Sequence, residues 1–218
     1  MSDELELKTV HDFYSSCADK FNTTRRKPWP QTQLFISKYS TPTSLLLDSG
    51  CGNGRASTCH PNTIGIDYSL NLLKYAYSRC TSPFTQFQRG NVINLPYKDG
   101  MFDLILSIAV VHHLTTEERR NKCFQEMHRV LAPNGKALVY VWSSEYKNKS
   151  KFRSAGLKSD QDVFASWNGS FEKVRFYHLY TLGELEEQAR RNGFTILKSG
   201  SENESLYVII EKINNFNK

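Results

Sequence analysis

The segment LLLDSGCGNG, residues 45–54, decides the fold class. Three leucines followed by glycines indicate a short buried strand that enters a tight turn. The spacing is GxGxG and not GxGxxG, because Arg55 stands where the dinucleotide-binding fingerprint has its third glycine. Asp48, which precedes the glycines, would repel a pyrophosphate but would suit a cationic ligand. The segment therefore predicts a nucleotide-type site for a ligand that carries no diphosphate.

The segments on either side of this turn predict strands and helices in alternation. Apolar residues recur at helical spacing within residues 5–22, and Pro30 suits the first turn of a second helix that runs to about Tyr39. Strands are predicted at 44–49, 63–67, 84–90, 102–114 and 133–142, helices at 69–80, 116–131 and about 181–191, and two last strands at 194–200 and 205–211. This alternation is typical of a parallel doubly wound sheet.

One domain of ordinary size accounts for the 218 residues. We expect an N-terminal helical substrate segment over about 5–40, a Rossmann core over about 44–142, an insertion over about 143–175 and a C-terminal helix with two strands over about 181–211. The insertion is polar and interleaves cations with aromatic residues. They are Lys147, Lys149, Lys151, Arg153 and Lys158, with Tyr146, Phe152, Phe164 and Trp167. Within residues 146–158, the lysines with their aromatic neighbours suit a loop that follows phosphates, or a mobile surface loop.

Composition and charge exclude several classes of protein. Lys and Arg outnumber Asp and Glu by 28 to 22, a mild excess that permits an anionic partner such as RNA. The five cysteines are odd in number and form no CxxC pair, so we expect neither a disulfide framework nor a zinc site built by this chain alone. The first residues, MSDELELK, lack a signal peptide, and no run approaches the ~20 apolar residues of a membrane span. We expect a reduced, soluble protein of the cytoplasm or nucleus, without a membrane partner.

Asp67 completes the predicted cofactor site. It ends the next strand, 19 residues after Asp48, where an acid can accept hydrogen bonds from both hydroxyls of a ribose. A cofactor with a ribose, a positive charge and no phosphate is S-adenosylmethionine. The alternative is that Asp48 and Asp67 only cap turns and that the glycines only bend the chain.

Four successive motifs resemble those of class I S-adenosylmethionine-dependent methyltransferases. They are DSGCGNG, IGIDYS, GNVINLPYKDGMFDLILSIAVVHHL and EMHRVLAPNGKALVYVW, within about residues 44–142. The resemblance implies a Rossmann-like, mostly parallel sheet of seven strands, with an antiparallel last strand and helices on both faces. It also implies S-adenosylmethionine as the cofactor.

The same resemblance assigns the cofactor contacts residue by residue. The methionine part would lie against Asp48, Gly50, Cys51, Gly52, Asn53 and Gly54, the ribose side against Asp67 and Tyr68, the adenine against Asn91 and Val92, and the floor would be Ser107, Ile108 and Ala109. One position departs from the family, which often has an acid where Asn91 stands. Asn91 can still accept a hydrogen bond through its carbonyl oxygen.

The flanking segments resemble a narrower family, the tRNA wobble-uridine carboxymethyl methyltransferases. VHDFYSSCADKFNTTRRKPWP, SIAVVHHL and QDVFASW…RFYHLYTLGELEEQARRNGF carry the resemblance, which spans about residues 9–211. The short polar stretch after ASW departs from the family. The likeness implies tRNA as substrate, esterification of 5-carboxymethyluridine at position 34, and a heterodimer with a small zinc-binding activator protein.

A carboxylate acceptor shapes the expected chemistry. With an ordinary pKa near ~4 it is already an anion at neutral pH, so the enzyme must align it and need not deprotonate it. A guanidinium would hold such an acceptor, and Arg26 is the first candidate. His112, Arg175 and His178 are the other catalytic candidates. The substrate-binding candidates are Arg25, Lys27, His113 and Trp29, the last as a stacking platform for the wobble base.

Simpler interpretations stand beside these assignments. Arg25 to Lys27 also fit a solvated face, Trp29 fits a hydrophobic staple at a helix entry, and Arg175 and His178 fit a role in fixing the turn before GELEE. One of the two histidines, His112 or His113, is expected to be structural. For the whole chain, the rivals are a small-molecule methyltransferase and a degenerate methyltransferase fold that serves as an RNA-binding subunit.

Overall fold

The computed structural model describes residues 2–157, 159–167 and 170–213. Of the cations predicted in the insertion, Lys158 lies outside these ranges. Within them the chain forms ten strands in two sheets. The strands are β1 (Leu46–Ser49), β2 (Thr63–Asp67), β3 (Gln86–Arg89), β4 (Phe102–Ile108), β5 (Leu131–Trp142), β6 (Phe152–Ser154), β7 (Asp162–Trp167), β8 (Ser170–His178), β9 (Phe194–Glu202) and β10 (Ser205–Lys212).

The main sheet has seven strands in the order β3-β2-β1-β4-β5-β10-β9. The first five run parallel, while β10 runs antiparallel to both β5 and β9. The predicted fold class, with its antiparallel last strand, is confirmed. The chain leaves β1 toward β2 on one side and returns to β4 on the other, so a crevice opens at the carboxyl ends of β1 and β4.

Helices cover both faces of this sheet. The α-helices are α1 (Ser2–Glu6), α2 (Asp12–Ser16), α3 (Ala18–Thr24), α4 (Pro30–Tyr39), α5 (Leu70–Arg79), α6 (Glu117–Val130) and α7 (Glu184–Arg191). A π-helical turn, Leu7–His11, joins α1 to α2. Side-chain caps begin two of them, since Ser69 accepts from the Leu72 N–H and Thr116 from the Arg119 N–H.

The core explains why the parallel strands are apolar on both faces. Leu47 belongs to a buried cluster that contains Phe124 and Met127 of α6. Its neighbour Leu46 belongs to a second cluster on the opposite face, which contains Phe35 and Ile36 of α4. Successive strand residues point to opposite faces, so continuous leucines are required where both faces are buried. No helix in the described ranges is long and apolar enough to cross a membrane.

The strand predicted over 102–114 is shorter than expected. β4 ends at Ile108 because Ala109 adopts a left-handed backbone with φ 62°. The chain then forms a 3-10 turn over Val111–His113, whose residues are buried. This turn carries His112 and His113 across the carboxyl end of the sheet instead of along it.

The insertion contains a small antiparallel sheet, which begins after turns and a 3-10 turn (Lys149–Lys151). Its strands lie in the order β6-β7-β8. Ala165 pairs with Arg175 and Val163 with Tyr177, which sets these four residues on one face. The last strand extends to His178, three residues beyond the predicted end of the insertion.

Candidate cofactor and substrate site

A cavity of about 320 Å³ lies at the carboxyl ends of β1, β2 and β4. Its walls come from the glycine turn, from the N-terminal helices, from the 3-10 turn after β4 and from β8. The predicted residues that line it are Arg25, Trp29, Asp48, Gly50, Cys51, Gly52, Asn53, Asp67, Tyr68, Asn91, Val92, Ile108, Ala109, His112, His113 and Arg175. Topology therefore brings most of the predicted site residues together.

The glycine turn needs its glycines for two different reasons. Gly50, Gly52 and Gly54 all have positive φ values, 80°, 54° and 73°. A Cβ on Gly50 would lie 2.3 Å from Cγ2 of Val110, so this glycine lets the loop after β4 approach the cavity floor. A Cβ on Gly54 would lie 2.9 Å from Cα of Ala76 in α5, and Gly54 does not line the cavity. Gly54 is thus a packing residue and not the cofactor contact that was predicted.

Asp48 is a buried carboxylate without an ion pair in the described part of the chain, and the guanidinium of Arg55, which also lines the cavity, acts on it only from a longer distance. Its side chain is 1% exposed and accepts a hydrogen bond from Oγ of Ser57 at 2.5 Å. Burial raises the pKa of Asp48 to about 6. No Lys, Arg or His nitrogen of the described residues forms an ion pair with it. This corner of the cavity fits a ligand that brings its own positive charge.

Asp67 is held by the backbone at the end of β2. Its Oδ2 accepts from the Gly52 N–H and its Oδ1 from the Ser69 N–H, both at 2.8 Å. Each carboxylate oxygen keeps further acceptor capacity, as a vicinal diol requires. Tyr68, the next residue, stacks on His11 of the π-helical turn with ring centroids 3.7 Å apart. The arrangement fits the ribose end of a nucleoside.

The predicted adenine end and floor are mostly in place. Asn91 and Val92 line the cavity, and Oδ1 of Asn91 already accepts from the Ile93 N–H at 3.1 Å. Ile108 and Ala109 form part of the floor. Ser107 is fully buried below them and does not line the cavity, so its predicted contact with the cofactor is not supported.

The two histidines have defined and different tautomers. Nδ1 of His112 lies 2.9 Å from the Trp142 N–H, which only donates, so His112 carries its proton on Nε2. That nitrogen is buried and has no hydrogen-bond partner among the described atoms. Nδ1 of His113 lies 2.8 Å from the Phe176 carbonyl oxygen, which only accepts, so His113 is protonated there.

Both imidazoles are neutral. Burial lowers the pKa of His112 well below its ordinary value and lowers that of His113 to about 3. His112 therefore offers an N–H donor to the cavity and not a base.

Arg175 is a buried cation that the described residues leave without an anion. It lies on β8 and is 4% exposed. No carboxylate within the described ranges lies within 4.0 Å of it, and its Nε is buried without a hydrogen-bond partner. Its guanidinium packs over four rings, those of Phe13, Trp142, Trp167 and Tyr177, at 4.8 to 5.9 Å. A buried unpaired charge is costly, so this position fits an anionic ligand.

Comparison with known proteins identifies the family. Residues 47–139 match a family model described as a methyltransferase domain. A putative methyltransferase of Encephalitozoon cuniculi is 44% identical over 95% of this chain and 97% of that protein. The tRNA (carboxymethyluridine(34)-5-O)-methyltransferase of Schizosaccharomyces pombe is 35% identical over 97% of this chain and 100% of its own length. The chain belongs to the methyltransferase family of these two relatives.

A solved structure shares the fold of this methyltransferase. It is the complex between the Haloferax volcanii Trm112 methyltransferase activator and a putative methyltransferase, which superimposes with a TM-score of 0.74 at 14% identity and covers 96% of this chain and 100% of that one. The predictions of an enzyme, of its class and of S-adenosylmethionine as methyl donor are confirmed. Asp48, Asp67 and the glycine turn supply a donor set that fits this cofactor.

Three predicted substrate or catalytic residues of the methyltransferase do not reach the cavity. Arg26 and Lys27 are exposed and do not line it, and the Arg26 carbonyl accepts from Nη1 of Arg79. His178 is buried between Asp162 and Glu184, with both of its ring nitrogens 2.8 Å from a carboxylate oxygen. It ties the small sheet to α7, and its predicted catalytic position is corrected to a structural one.

The neighbours of Arg26 are placed differently. Arg25 lines the cavity and packs over the rings of Phe21 and Trp167, at 5.4 and 5.6 Å. Trp29 borders the cavity, but its ring packs on Tyr140 with centroids 5.1 Å apart, at the entry to α4. This geometry favours the packing interpretation of Trp29 over base stacking.

Several lining residues were missed at the level of sequence. They are Tyr14, His11, Arg55, Trp142, Tyr146 and Tyr177. Tyr14 lies within residues 5–22, for which the sequence pattern predicts only a helix. Its contact with His113, 99 residues away, gives it a place in the site, and no local motif signals that contact.

Proposed function

We propose that this methyltransferase esterifies the carboxylate of 5-carboxymethyluridine at wobble position 34 of tRNA. The Schizosaccharomyces pombe relative carries that activity in its name. The observation that carries the proposal is Arg175, a buried guanidinium in the cavity with no carboxylate from the described part of the chain beside it. A planar cation with a free N–H edge matches a carboxylate better than it matches a neutral base or hydroxyl.

The cofactor half of the cavity would hold S-adenosylmethionine, which when bound supplies a methyl group on a positively charged sulfur. Asp48 and the glycine turn would hold its methionine part, Asp67 its ribose, and Asn91 with Val92 its adenine. The carboxylate of Asp48 stabilises a cation in this buried corner. The backbone donors that fix Asp67 keep that side chain ready for the ribose.

The acceptor half binds and orients the substrate carboxylate. Arg175 pairs with it, and the Nε2–H of His112 adds a neutral donor. Both side chains lie against the ring of Tyr177, which His112 approaches at 4.9 Å and Arg175 at 5.2 Å. Since the acceptor is already ionised, no side chain has to remove a proton. The aromatic rings around Arg175 exclude water, which strengthens the charge pair and desolvates the attacking oxygen.

The clamp thus moves from Arg26, the residue favoured by sequence, to Arg175. Arg26 and Lys27 stay available at the surface for tRNA phosphates, where exposed cations contribute affinity without sequence preference. Arg25 lines the cavity and packs over the ring of Trp167, which Arg175 also contacts. Its position in the cavity lining suits a role for Arg25 in binding the substrate.

The zinc-binding activator is part of the proposal. The Haloferax putative methyltransferase that shares this fold was solved in complex with the Trm112 methyltransferase activator. Among the described residues β3 is an edge strand of the main sheet, and two exposed aromatic residues lie near it, Phe84 at 69% and Tyr77 at 60% exposure. An open edge with apolar flanks suits addition of a partner strand. Co-purification with the activator should be lost in Phe84→Asp. It should be retained in Leu182→Asp, the control, because Leu182 is similarly exposed and precedes α7 instead of β3.

Mass spectrometry of nucleosides tests the activity. Carboxymethylated tRNA is incubated with the enzyme, the activator and isotope-labelled cofactor, and is then digested. The proposal predicts the labelled methyl ester of 5-carboxymethyluridine from the wobble position. If the label is found only in another nucleoside, or in none, the assigned substrate is wrong even though the methyltransferase fold stands.

A further inference from the structure

The hydroxyl of Tyr14 connects two parts of the acceptor half that are far apart in sequence. Tyr14 lies on α2, His113 in the 3-10 turn after β4, and Arg175 on β8. Oη of Tyr14 is 2.8 Å from Nε2 of His113 and 3.5 Å from Nη1 of Arg175. One oxygen atom therefore bridges a neutral histidine and the buried guanidinium.

The tautomer of His113 determines which group donates in each of these hydrogen bonds. Because Nδ1 of His113 donates to the Phe176 carbonyl, its Nε2 has no proton and can only accept. Tyr14 must then donate its O–H to Nε2. The lone pairs of the Tyr14 oxygen remain, and one of them faces the Nη1–H of Arg175.

This arrangement leaves the Nε side of the guanidinium without a partner in the described structure. Arg175 has two edges that can grip a carboxylate with two parallel N–H bonds, Nη1 with Nη2 and Nε with Nη2. Tyr14 accepts from one of the two N–H groups of Nη1, whereas the single N–H of Nε is buried without a partner in the described structure. The four aromatic rings around the guanidinium provide attraction, but ring faces set no preferred rotation within its plane. Tyr14 is the directional contact.

We propose that Tyr14, oriented by His113, is a positioning residue that turns the Nε–Nη2 edge of Arg175 toward the carboxylate of the acceptor. This inference rests on the function proposed above. Tyr14 touches neither reacting group in this scheme, and acts through Arg175. The N-terminal helices are thereby part of the acceptor site, as well as a cover for the cofactor.

The test compares Tyr14→Phe with Tyr180→Phe, a matched control. Tyr180 is also buried, and its hydroxyl donates to Gln188 away from the cavity. With wild-type product first established by mass spectrometry, Tyr14→Phe should lower kcat about tenfold, with the cofactor Kd unchanged. Its binding preference for tRNA with carboxymethyluridine over the same tRNA with unmodified uridine should fall by a similar factor. Tyr180→Phe should alter Tm alone.

A purely structural role would not change the preference for the carboxylate, so an unchanged preference and kcat in Tyr14→Phe would overturn the inference. Absence of methyl ester with the wild-type enzyme would instead reject the proposed function. The two failures are therefore distinguishable, because the binding comparison does not need turnover.

Substitution of His113 tests the relay itself. His113→Leu removes the acceptor of the Tyr14 proton and should reduce kcat about as much as Tyr14→Phe, with the double variant no worse than the poorer single one. His113→Gln, which keeps an acceptor at the same reach, should recover much of the loss and serves if the leucine variant does not fold. Additive losses in the double variant would show that the two residues act separately and would refute the relay.

Discussion

The two halves of the cavity carry charged side chains of opposite sign. The cofactor half presents acids, Asp48 and Asp67, fixed by donors from Ser57 and from backbone N–H groups. The acceptor half presents a guanidinium, a neutral N–H donor and aromatic rings, with no carboxylate ion-paired to Arg175 within the described ranges. The cofactor half is therefore suited to bind a cation, and the acceptor half is suited to bind an anion. A cationic methyl donor and an anionic acceptor would therefore each be drawn to its own end of one cavity.

The strongest test of this division is removal of Arg175. Arg175→Gln should lower kcat/KM for carboxymethylated tRNA by roughly 10²–10³-fold, because the carboxylate loses its charged partner and its alignment. The cofactor Kd, measured by calorimetry, should change less than about twofold. Arg153→Gln, an exposed arginine on β6, is the matched control and should leave kcat intact. Parallel loss of cofactor binding would show that the halves are not separate.

The converse substitution is Asp67→Ala. It should raise the cofactor Kd by about 10- to 100-fold, since the ribose hydroxyls lose a buried acceptor. The Kd for tRNA, measured without cofactor, should stay close to that of the wild type. If tRNA binding weakened as much as cofactor binding, the site would be one coupled unit.

A smaller effect is expected from pH, through Asp48. Its pKa is raised to about 6 in the ligand-free protein by burial, and a bound cation favours its charged form. Binding must then release a proton below pH 6, so the cofactor Kd should fall by up to about tenfold per pH unit as pH rises toward 6, and level off above 7. Calorimetric titrations at several pH values measure this slope. Asp48→Asn should bind weakly with no such dependence, whereas a persistent slope in that variant would assign the titration to another group.

The smallest catalytic effect is expected at the surface. Arg26→Ala and Lys27→Ala should each reduce the slope of log K against log salt for tRNA by about 0.7–0.9. At saturating tRNA, kcat should stay within about twofold of the wild type. Filter binding across a salt series and single-turnover assays give the two numbers. A collapse of kcat in Arg26→Ala would return the clamp to Arg26 and weaken the contrast between the two halves.

The cofactor half was accessible from sequence for a physical reason. Asp48, Asp67 and the glycines lie at the ends of adjacent parallel strands, and a general rule of doubly wound sheets brings such ends together. The apolar runs of β1 and β4 also located the core correctly, because both faces of those strands are buried. The fold class and the position of the cofactor site therefore followed from local pattern and topology.

The acceptor half was not accessible in the same way. Tyr14 and Arg175 are 161 residues apart, and their contact depends on how β8 pairs with β7 and how the N-terminal helices dock. The choice between Arg25 and Arg26 depends on backbone angles at the end of α3, where Arg25 adopts φ −120° and ψ 74°. The sequence pattern does not say which of these two consecutive side chains faces the cavity.

The chemical form of the transferred methyl group tests the central claim most directly. A transcript that carries carboxymethyluridine at position 34 and a matched transcript with uridine are each incubated with the enzyme, the activator and methyl-labelled cofactor, followed by mild alkali. If the enzyme esterifies a carboxylate held by Arg175, only the first transcript should be labelled, and alkali should release the label as methanol. Arg175→Gln should give almost no label. Alkali-stable label, or equal labelling of both transcripts, would contradict it.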